Sequence, residues 1–280
     1  MIIDGKKISQ DILSKLKEDV SRLPIRPMFC DVLVGEDPAS AQYVKMKGRL
    51  AETIGIEFRR ADFPSSIPTA ELVAEIKKLN NLPRMAGLIV QLPLPASLGR
   101  AEVLNAIDPS LDVDCTGEVN TRLFYEGQGS LLFPTAAAVM AILDSLDLDI
   151  TNKSIVVVGQ GELVGRPVAF LLRQRGLRMT VADKFTSNIP QLLKEADVIV
   201  SATGKGKLIT GEGIKKGSVV IDAGTSESNG GIIGDVDFET VSQTAGFLSP
   251  VPGGVGPVTV AKLLGNVVQV AREKFKNPIL

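Results

Sequence analysis

Ser154-Ile155-Val156-Val157-Val158-Gly159-Gln160-Gly161-Glu162-Leu163-Val164-Gly165 passes from a short β-branched run through three glycines into a helical pattern, Arg166 to Gln174. Glycines at such a turn let the backbone approach a pyrophosphate, whose charge is favoured by the free amides of a helix N-terminus. One extra residue precedes the third glycine compared with the G-x-G-x-x-G spacing, so the turn alone does not separate a dinucleotide site from a structural turn. The downstream sequence favours the dinucleotide site. Met179 to Ala182, Val198 to Ala202 and Ser218 to Asp222 read as further buried strands, the series that a doubly wound nucleotide domain requires.

Upstream the same strand and helix alternation recurs. Ile8, Ile12, Leu13, Leu16, Val20 and Leu23 stand at helical spacing, and Met28 to Val34 reads as a strand ended by Gly35. A helix is predicted from Ala39 to Thr53, a strand from Glu57 to Phe63, and a helix capped by Thr69 that carries Leu72, Val73, Ile76 and Leu79. Gly87 to Gln91 is a buried strand stopped by Pro93 and Pro95. A helix near Ala101 to Ile107 precedes an irregular region, Asp108 to Phe133, and Thr135 opens an apolar helix, Ala136 to Leu146. The pattern predicts a two-domain α/β protein with parallel sheets, residues 1–134 forming one domain and 135–258 a Rossmann-like one. A last helix, about 259–280, follows a Pro/Gly-rich turn and is free to pack on either domain.

Composition removes many chemistries. The 280 residues are 44% hydrophobic and 22% charged, with a net charge of −1, no histidine, and Cys30 and Cys115 as the sole cysteines. Imidazole triads and zinc cages of several Cys or His are therefore impossible, no metal is expected, and the cysteines read as free thiols. The charge balance lacks the basic stripe that a nucleic-acid partner needs. No apolar run approaches the ~20 residues that cross a bilayer, and the N-terminus carries no signal-type apolar region, so the expectation is a cytoplasmic protein with no membrane partner. Acid/base work falls to Lys, Asp, Glu or Tyr.

Tyr43 and Lys47 stand four apart, on one face of the helix after Pro38-Ala39-Ser40. A lysine desolvated beside an aromatic ring is a useful proton acceptor or donor, although a surface tyrosine on a lysine stem has the same spacing. Gln91 ends an apolar strand at its C-terminal edge, where α/β ligands bind, and a glutamine tied to loop backbone would look alike. Asp112 and Asp114 would share a face of an extended segment as a carboxylate pair, or one would recognise a planar donor pair, or both are solvated loop residues. In Pro250-Val251-Pro252-Gly253-Gly254-Val255-Gly256-Pro257 each proline restrains what each glycine loosens, which predicts a rigid loop approached closely by something, or a plain interdomain turn.

Val34 to Ser40 with Tyr43 and Lys47, Gly87 to Pro95, Asp112-Val113-Asp114, Gly234 to Phe238 and Pro250 to Thr259, in this order, closely resemble the bifunctional methylenetetrahydrofolate dehydrogenase/methenyltetrahydrofolate cyclohydrolases. The resemblance spans nearly the whole chain. It implies an N-terminal substrate domain to which the last helix returns, a C-terminal Rossmann-like domain, a folate cleft between them, and a homodimer. It makes Lys47 the catalytic lysine, oriented by Gln91, with Tyr43 against the folate aromatic system and Asp114 on the amino-pyrimidinone of the pterin. It also implies substrate contacts at Val90, Leu92 and the Pro252, Gly253, Gly254, Val255, Gly256 loop. Cofactor contacts would come from Gly159, Gln160, Gly161, Gly165, Lys184 and Thr225. The implied reactions are oxidation of 5,10-methylenetetrahydrofolate by a nicotinamide dinucleotide and hydrolysis of the methenyl product to 10-formyltetrahydrofolate, in one-carbon metabolism that serves purine biosynthesis.

Three positions depart from the family pattern. Cys115 stands where members have glycine after the two aspartates, Phe133-Pro134-Thr135-Ala136 replaces a proline-cysteine-threonine-proline segment, and Gly159-Gln160-Gly161 replaces glycine-arginine-serine. A dehydrogenase that has lost the hydrolase step, or a non-catalytic folate- or nucleotide-binding homologue, are the alternatives. For the dinucleotide, Asp183 lies 24 positions after Gly159, near the ~20 expected for an acid that binds ribose hydroxyls, which favours NAD. Lys184 is its neighbour, at the position that in the family often meets the 2′-phosphate, and the expectation is NADP.

Overall fold

The computed structural model describes residues 1–228 and 231–276. The chain divides into two compact units, one of Met1–Gln10 with Phe133–Lys262, the other of Asp11–Leu132 with the chain from Leu263 onward. The division falls inside α1 (Gly5–Ser21) and inside α10 (Val255–Phe275). This differs from a split of 1–134 and 135–258 chiefly at the N-terminus. Ile3 donates its amide to the Leu248 carbonyl at 2.9 Å, Leu248 donates to that of Met1 at 3.0 Å, and Ser9 Oγ donates to the Pro257 carbonyl at 2.9 Å, so the first residues are held by the later half.

One unit holds β1 (Met28–Val34), α2 (Pro38–Thr53), β2 (Glu57–Phe63), α3 (Thr69–Asn80), β3 (Met85–Val90), α4 (Arg100–Leu104) and α5 (Glu118–Tyr125). Its sheet is parallel with order β2-β1-β3. β1 is central, so all seven of its residues are buried, whereas the edge strand β2 is only partly covered. Asp37 caps α2 by accepting the Ser40 amide at 2.7 Å, with Pro38 in the first turn. Gly48 lets that helix lie against the sheet, since a Cβ there would stand 2.4 Å from the Phe58 ring. Gly87 does the same for α10, because a Cβ would meet Val267 at 2.8 Å. Asn266 of α10 donates to the carbonyls of Val113 and Leu132 at 2.7 and 2.8 Å.

The other unit holds α6 (Pro134–Ser145), β4 (Ile155–Val158), α7 (Gly165–Gln174), β5 (Met179–Ala182), α8 (Ile189–Glu195), β6 (Val198–Ser201), β7 (Val219–Asp222), β8 (Ser226–Ser228), β9 (Gly231–Ile233), α9 (Phe238–Val241) and β10 (Phe247–Leu248). Its parallel sheet has order β10-β7-β6-β4-β5, and β8 and β9 form a separate antiparallel pair. Val156, Val158, Ile199 and Val220 from its central strands pack with Leu193, Ile209, Val236 and Val241 as its core.

Several expected elements change. The irregular region contains α5, α4 ends at Leu104, and α10 begins at Val255 rather than Thr259, so the end of the Pro/Gly loop, from Val255 to Pro257, is the first turn of a helix. Residues 277–280 of the expected last helix lie outside those described. Thr69 does not cap α3. Pro68 occupies that position, and the Thr69 hydroxyl instead accepts the Gly99 amide at 3.1 Å.

The glycine turn after β4 is tight. Gly159 has φ +93°, and a Cβ on Gly165 would lie 1.9 Å from the Gly159 carbonyl oxygen. Gly165→Ala should therefore force the turn apart and cost about 1–3 kcal/mol, read as a lower urea midpoint by circular dichroism.

Candidate active site

In the three-stranded unit, β1, α2 and the C-terminal end of β3 bring Lys47, Gln91, Tyr43 and Asp31 together. Lys47 is 2% exposed, which excludes the surface alternative. Its Nζ donates to Gln91 Oε1 at 2.8 Å, lies 2.6 Å from Asp31 Oδ2, and stands 5.0 Å from the centre of the Tyr43 ring. Gln91 is fixed on both sides, its backbone amide bonded to the Val32 carbonyl at 2.8 Å and its Nε2 to the Leu92 carbonyl at 2.6 Å. The side-chain oxygen is thereby left to the lysine. Burial pushes the Tyr43 phenol upward, with Asp114 and Asp31 adding to the rise, so Tyr43 stays a neutral ring.

Asp31 was not a candidate from sequence, where it is one polar residue inside an apolar strand. Its carboxylate is fully buried, and burial raises its pKa while Lys47 lowers it. The available signal was the strand itself, since a charge in a central parallel strand must have a partner.

Asp112 and Asp114 do not share a face of an extended segment. The segment turns, with Cys115 at φ +59° and the Val113 amide on the Leu111 carbonyl at 2.9 Å. Asp112 is buried and accepts the Gly117 amide at 2.9 Å and the Thr116 amide at 3.2 Å, so it is a loop clamp and not a solvated residue. Asp114 is half-buried and sits in the field of Lys47. Burial pushes it up to about 6, Lys47 opposes this, and Asp112 and Asp31 add to it. Cys115 adopts the left-handed conformation that a glycine adopts readily, so the chain path beside Asp114 is kept without glycine. Val90 is the buried last residue of β3, and Leu92 is half-buried just beyond it.

The remaining candidates belong to the five-stranded unit. Gly159, Gln160, Gly161 and Gly165 form the turn between β4 and α7. A Cβ on Gly159 or Gly165 would strike backbone, whereas Gly161 faces open space. A closed turn with an open glycine ahead of a helix N-terminus fits a pyrophosphate. The Gln160 amide donates to the Gly159 carbonyl at 2.8 Å, which commits it to its own turn. After β5, Asp183 accepts the Phe185 amide at 3.0 Å and the Thr186 hydroxyl at 3.2 Å, while Lys184 is exposed with its ammonium 5.0 Å from the Phe185 ring centre. Thr225 is exposed beyond β7, again at a strand C-terminal end. Pro252 and Gly256 are exposed, Gly254 and Val255 are buried, and Gly253 has φ +104°. Gly5 admits the loop, since a Cβ there would lie 1.9 Å from the Gly254 carbonyl oxygen.

Two further aspartates hold these loops. Asp222 accepts the amides of Gly224, Asp235 and Val236 at 3.1, 3.1 and 2.9 Å, and burial beside Asp235 pushes it up to about 7. Asp235 accepts the Ser201 hydroxyl and the amides of Thr203 and Lys205. Among the described residues no group of three or more Cys, Asp or Glu is placed to hold a metal ion, and no helix is long and apolar enough to cross a membrane.

The five-stranded unit with its glycine turn defines the class of α/β proteins that bind dinucleotides at the C-terminal ends of parallel strands. The chain belongs to the tetrahydrofolate dehydrogenase/cyclohydrolase family: its catalytic-domain model matches residues 3–114 and its NAD(P)-binding-domain model residues 134–275. The Bifunctional protein FolD of Halothermothrix orenii is 42% identical over 277 residues, covering 97% of this chain and 98% of the relative. The bifunctional dehydrogenase/cyclohydrolase structure from Campylobacter jejuni is similar at a TM-score of 0.92 and 36% identity, covering 98% of this chain and 99% of that one. A Trypanosoma brucei dehydrogenase-cyclohydrolase, solved with NADP cofactor and inhibitor, reaches 0.93 at 32% identity and covers 99% of both chains.

The two loop aspartates should separate in stability. Asp112→Ala strands two backbone amides and should cost about 1–3 kcal/mol in urea unfolding, whereas Asp114→Ala removes a desolvated carboxylate and should cost less.

Proposed function

We infer that the chain is a bifunctional one-carbon folate enzyme. It oxidises 5,10-methylenetetrahydrofolate to the methenyl cation with a nicotinamide dinucleotide and hydrolyses that cation to 10-formyltetrahydrofolate. The observation that carries this reading is the buried Lys47, held at 2.8 Å by Gln91 and flanked by the Tyr43 ring, in a chain of this family. A bound nicotinamide ring would supply the hydride acceptor for the carbon bridging N5 and N10. Gly159, Gln160, Gly161 and Gly165 would hold the pyrophosphate, and Thr225 lies at a neighbouring strand end. Because hydride transfer needs little acid/base chemistry, orientation of the pterin does most of the work of that step.

In the hydrolytic step Lys47 receives a proton from the attacking water, with Gln91 fixing the amine. Tyr43 packs on the folate ring and Asp114 accepts from the amino-pyrimidinone. Val90, Leu92 and the Pro252, Gly253, Gly254, Val255, Gly256 loop shape the substrate site. Val90 and Val255 have buried side chains, so they would act through backbone and shape. The left-handed Cys115 supports retention of the hydrolase activity, since it leaves the Asp114 segment on a glycine-like path. NADP is the favoured dinucleotide: Asp183 is engaged by its own turn, and the exposed Lys184 is available to a 2′-phosphate. We read the enzyme further as a cytoplasmic homodimer whose formyl product serves purine biosynthesis, with neither nucleic acid nor membrane as partner.

Lys47→Met should lower cyclohydrolase kcat by at least ~100-fold and dehydrogenation by less, followed by loss of methenyl absorbance without dinucleotide. Normal hydrolysis by the variant would make the lysine structural. Asp114→Ala should raise the folate KM in both reactions alike, because its contact is remote from the reacting carbon. Lys184→Ser should raise the KM for NADP and leave that for NAD nearly unchanged; a wild-type preference for NAD that Asp183→Ser abolishes would make the acid the selecting residue.

A further inference from the structure

Asp31 is the one member of the Lys47 cluster to which the mechanism above gives no task. It lies in the middle of the central strand β1, fully buried, with Lys47 Nζ 2.6 Å from Oδ2. No backbone amide or hydroxyl serves either oxygen among the described residues. The other buried aspartates are built differently. Asp112, Asp222 and Asp235 each accept two or more amides, which tie their carboxylates to the backbone. Asp31 has a single cation and an apolar strand, a setting in which the neutral acid costs little.

Resting on Lys47 as the hydrolytic base, we propose that Asp31 is the proton partner of that lysine, a positioning residue that takes the ammonium proton so that a neutral amine faces the methenyl cation. The step is an internal transfer in which an N–H bond of Lys47 breaks and an O–H bond of Asp31 forms. No proton leaves the pair. Water then attacks the methenyl carbon and gives its proton to the amine. Collapse of the adduct breaks the carbon–N5 bond, the hydroxyl proton of the adduct ends on N5, and the pair returns to its resting state by releasing one proton to solvent. A cationic substrate favours this transfer, because it meets an amine and not an ammonium.

The other charged and titratable groups around the pair are Tyr43 on α2, Cys30 on β1, Arg60 and Asp62 on β2, and Asp114 with Asp112 behind it in the loop before α5. Burial pushes the Cys30 thiol up to about 12, so it stays neutral. Arg60 and Asp62 are ion-paired to each other at 2.6 Å. Asp114 is the one group beside the pair that titrates close to the working range, at about 6. A profile read above that point reports the pair.

The test is the pH dependence of cyclohydrolase kcat, measured on the full chain with 5,10-methenyltetrahydrofolate and corrected for spontaneous hydrolysis. Because the amine forms without loss of a proton, wild-type kcat should be nearly constant from about pH 7 to 9. In Asp31→Asn the amine forms only by losing its proton to solvent, so kcat should rise with pH over the same range instead of staying level, with KM little changed. A merely structural Asp31 would lower kcat equally at every pH. Asp31→Val, which suits an apolar central strand, gives the same test if the asparagine variant does not fold. A wild-type profile that itself rises with pH over that range overturns the proposal without any variant, and so does a flat profile in either folded variant. Lys47→Met separates the two levels: if it hydrolyses normally, the base assignment falls and this proposal with it. If it is inactive while the Asp31 variants keep a flat profile, only the proposal falls.

Discussion

A lysine ammonium almost out of contact with water is the constraint around which the three-stranded unit is organised. Transfer of such a charge from water costs several kcal/mol even after relaxation, and the fold must return that through fixed partners. Three elements do so here. β1 supplies the Asp31 carboxylate, the end of β3 supplies the Gln91 oxygen, and one turn earlier on α2 the Tyr43 ring presents its π-face. The arrangement depends on α2 lying close to the sheet, which Gly48 permits by leaving room for the Phe58 ring.

Partners, more than burial, decide what each interior aspartate does. Asp112 and Asp235 each accept two backbone amides and tie loops to strand ends, so they organise backbone. Asp222 does the same for the loop carrying Thr225, and the glycines beside the two carboxylates are dictated by that contact, because a Cβ on Gly224 or Gly234 would stand 2.0 Å from Asp235 or Asp222. Asp114 and Asp31 lack such amides. Asp114 lies in the field of Lys47 and Asp31 touches its ammonium, so equal residue types divide into loop clamps and neighbours of the lysine by hydrogen-bond supply.

The departures from the family pattern are absorbed locally. Cys115 takes a left-handed backbone, at a cost of about 1–2 kcal/mol for a residue with a Cβ, and its buried side chain recovers part of that by packing. Gln160, uncharged where the family resemblance leads one to expect arginine, turns its side-chain amide onto the Gly159 carbonyl and stiffens the turn instead of reaching outward. Positive charge next to the turn comes from Arg166, whose amide bonds the Gly161 carbonyl at 3.1 Å, while Lys184 follows the end of the neighbouring strand β5.

Local pattern alone determined the parallel α/β class, most strand positions, and the pairing of Tyr43 with Lys47, because strand and helix periods and i, i+4 spacing are properties of neighbouring residues. The same locality made Gln91 legible as a strand-end residue and Gly159 to Gly165 as a glycine turn between strand and helix. Tertiary structure decided the rest. Asp31 and Lys47 are sixteen positions apart on different elements, and only packing of α2 on β1 makes them a pair. Asp112 and Asp114 look equivalent in sequence and part company because the segment turns at Cys115. The N-terminal residues join the later half of the chain through Ile3 and Leu248, a long-range pairing that no local periodicity encodes.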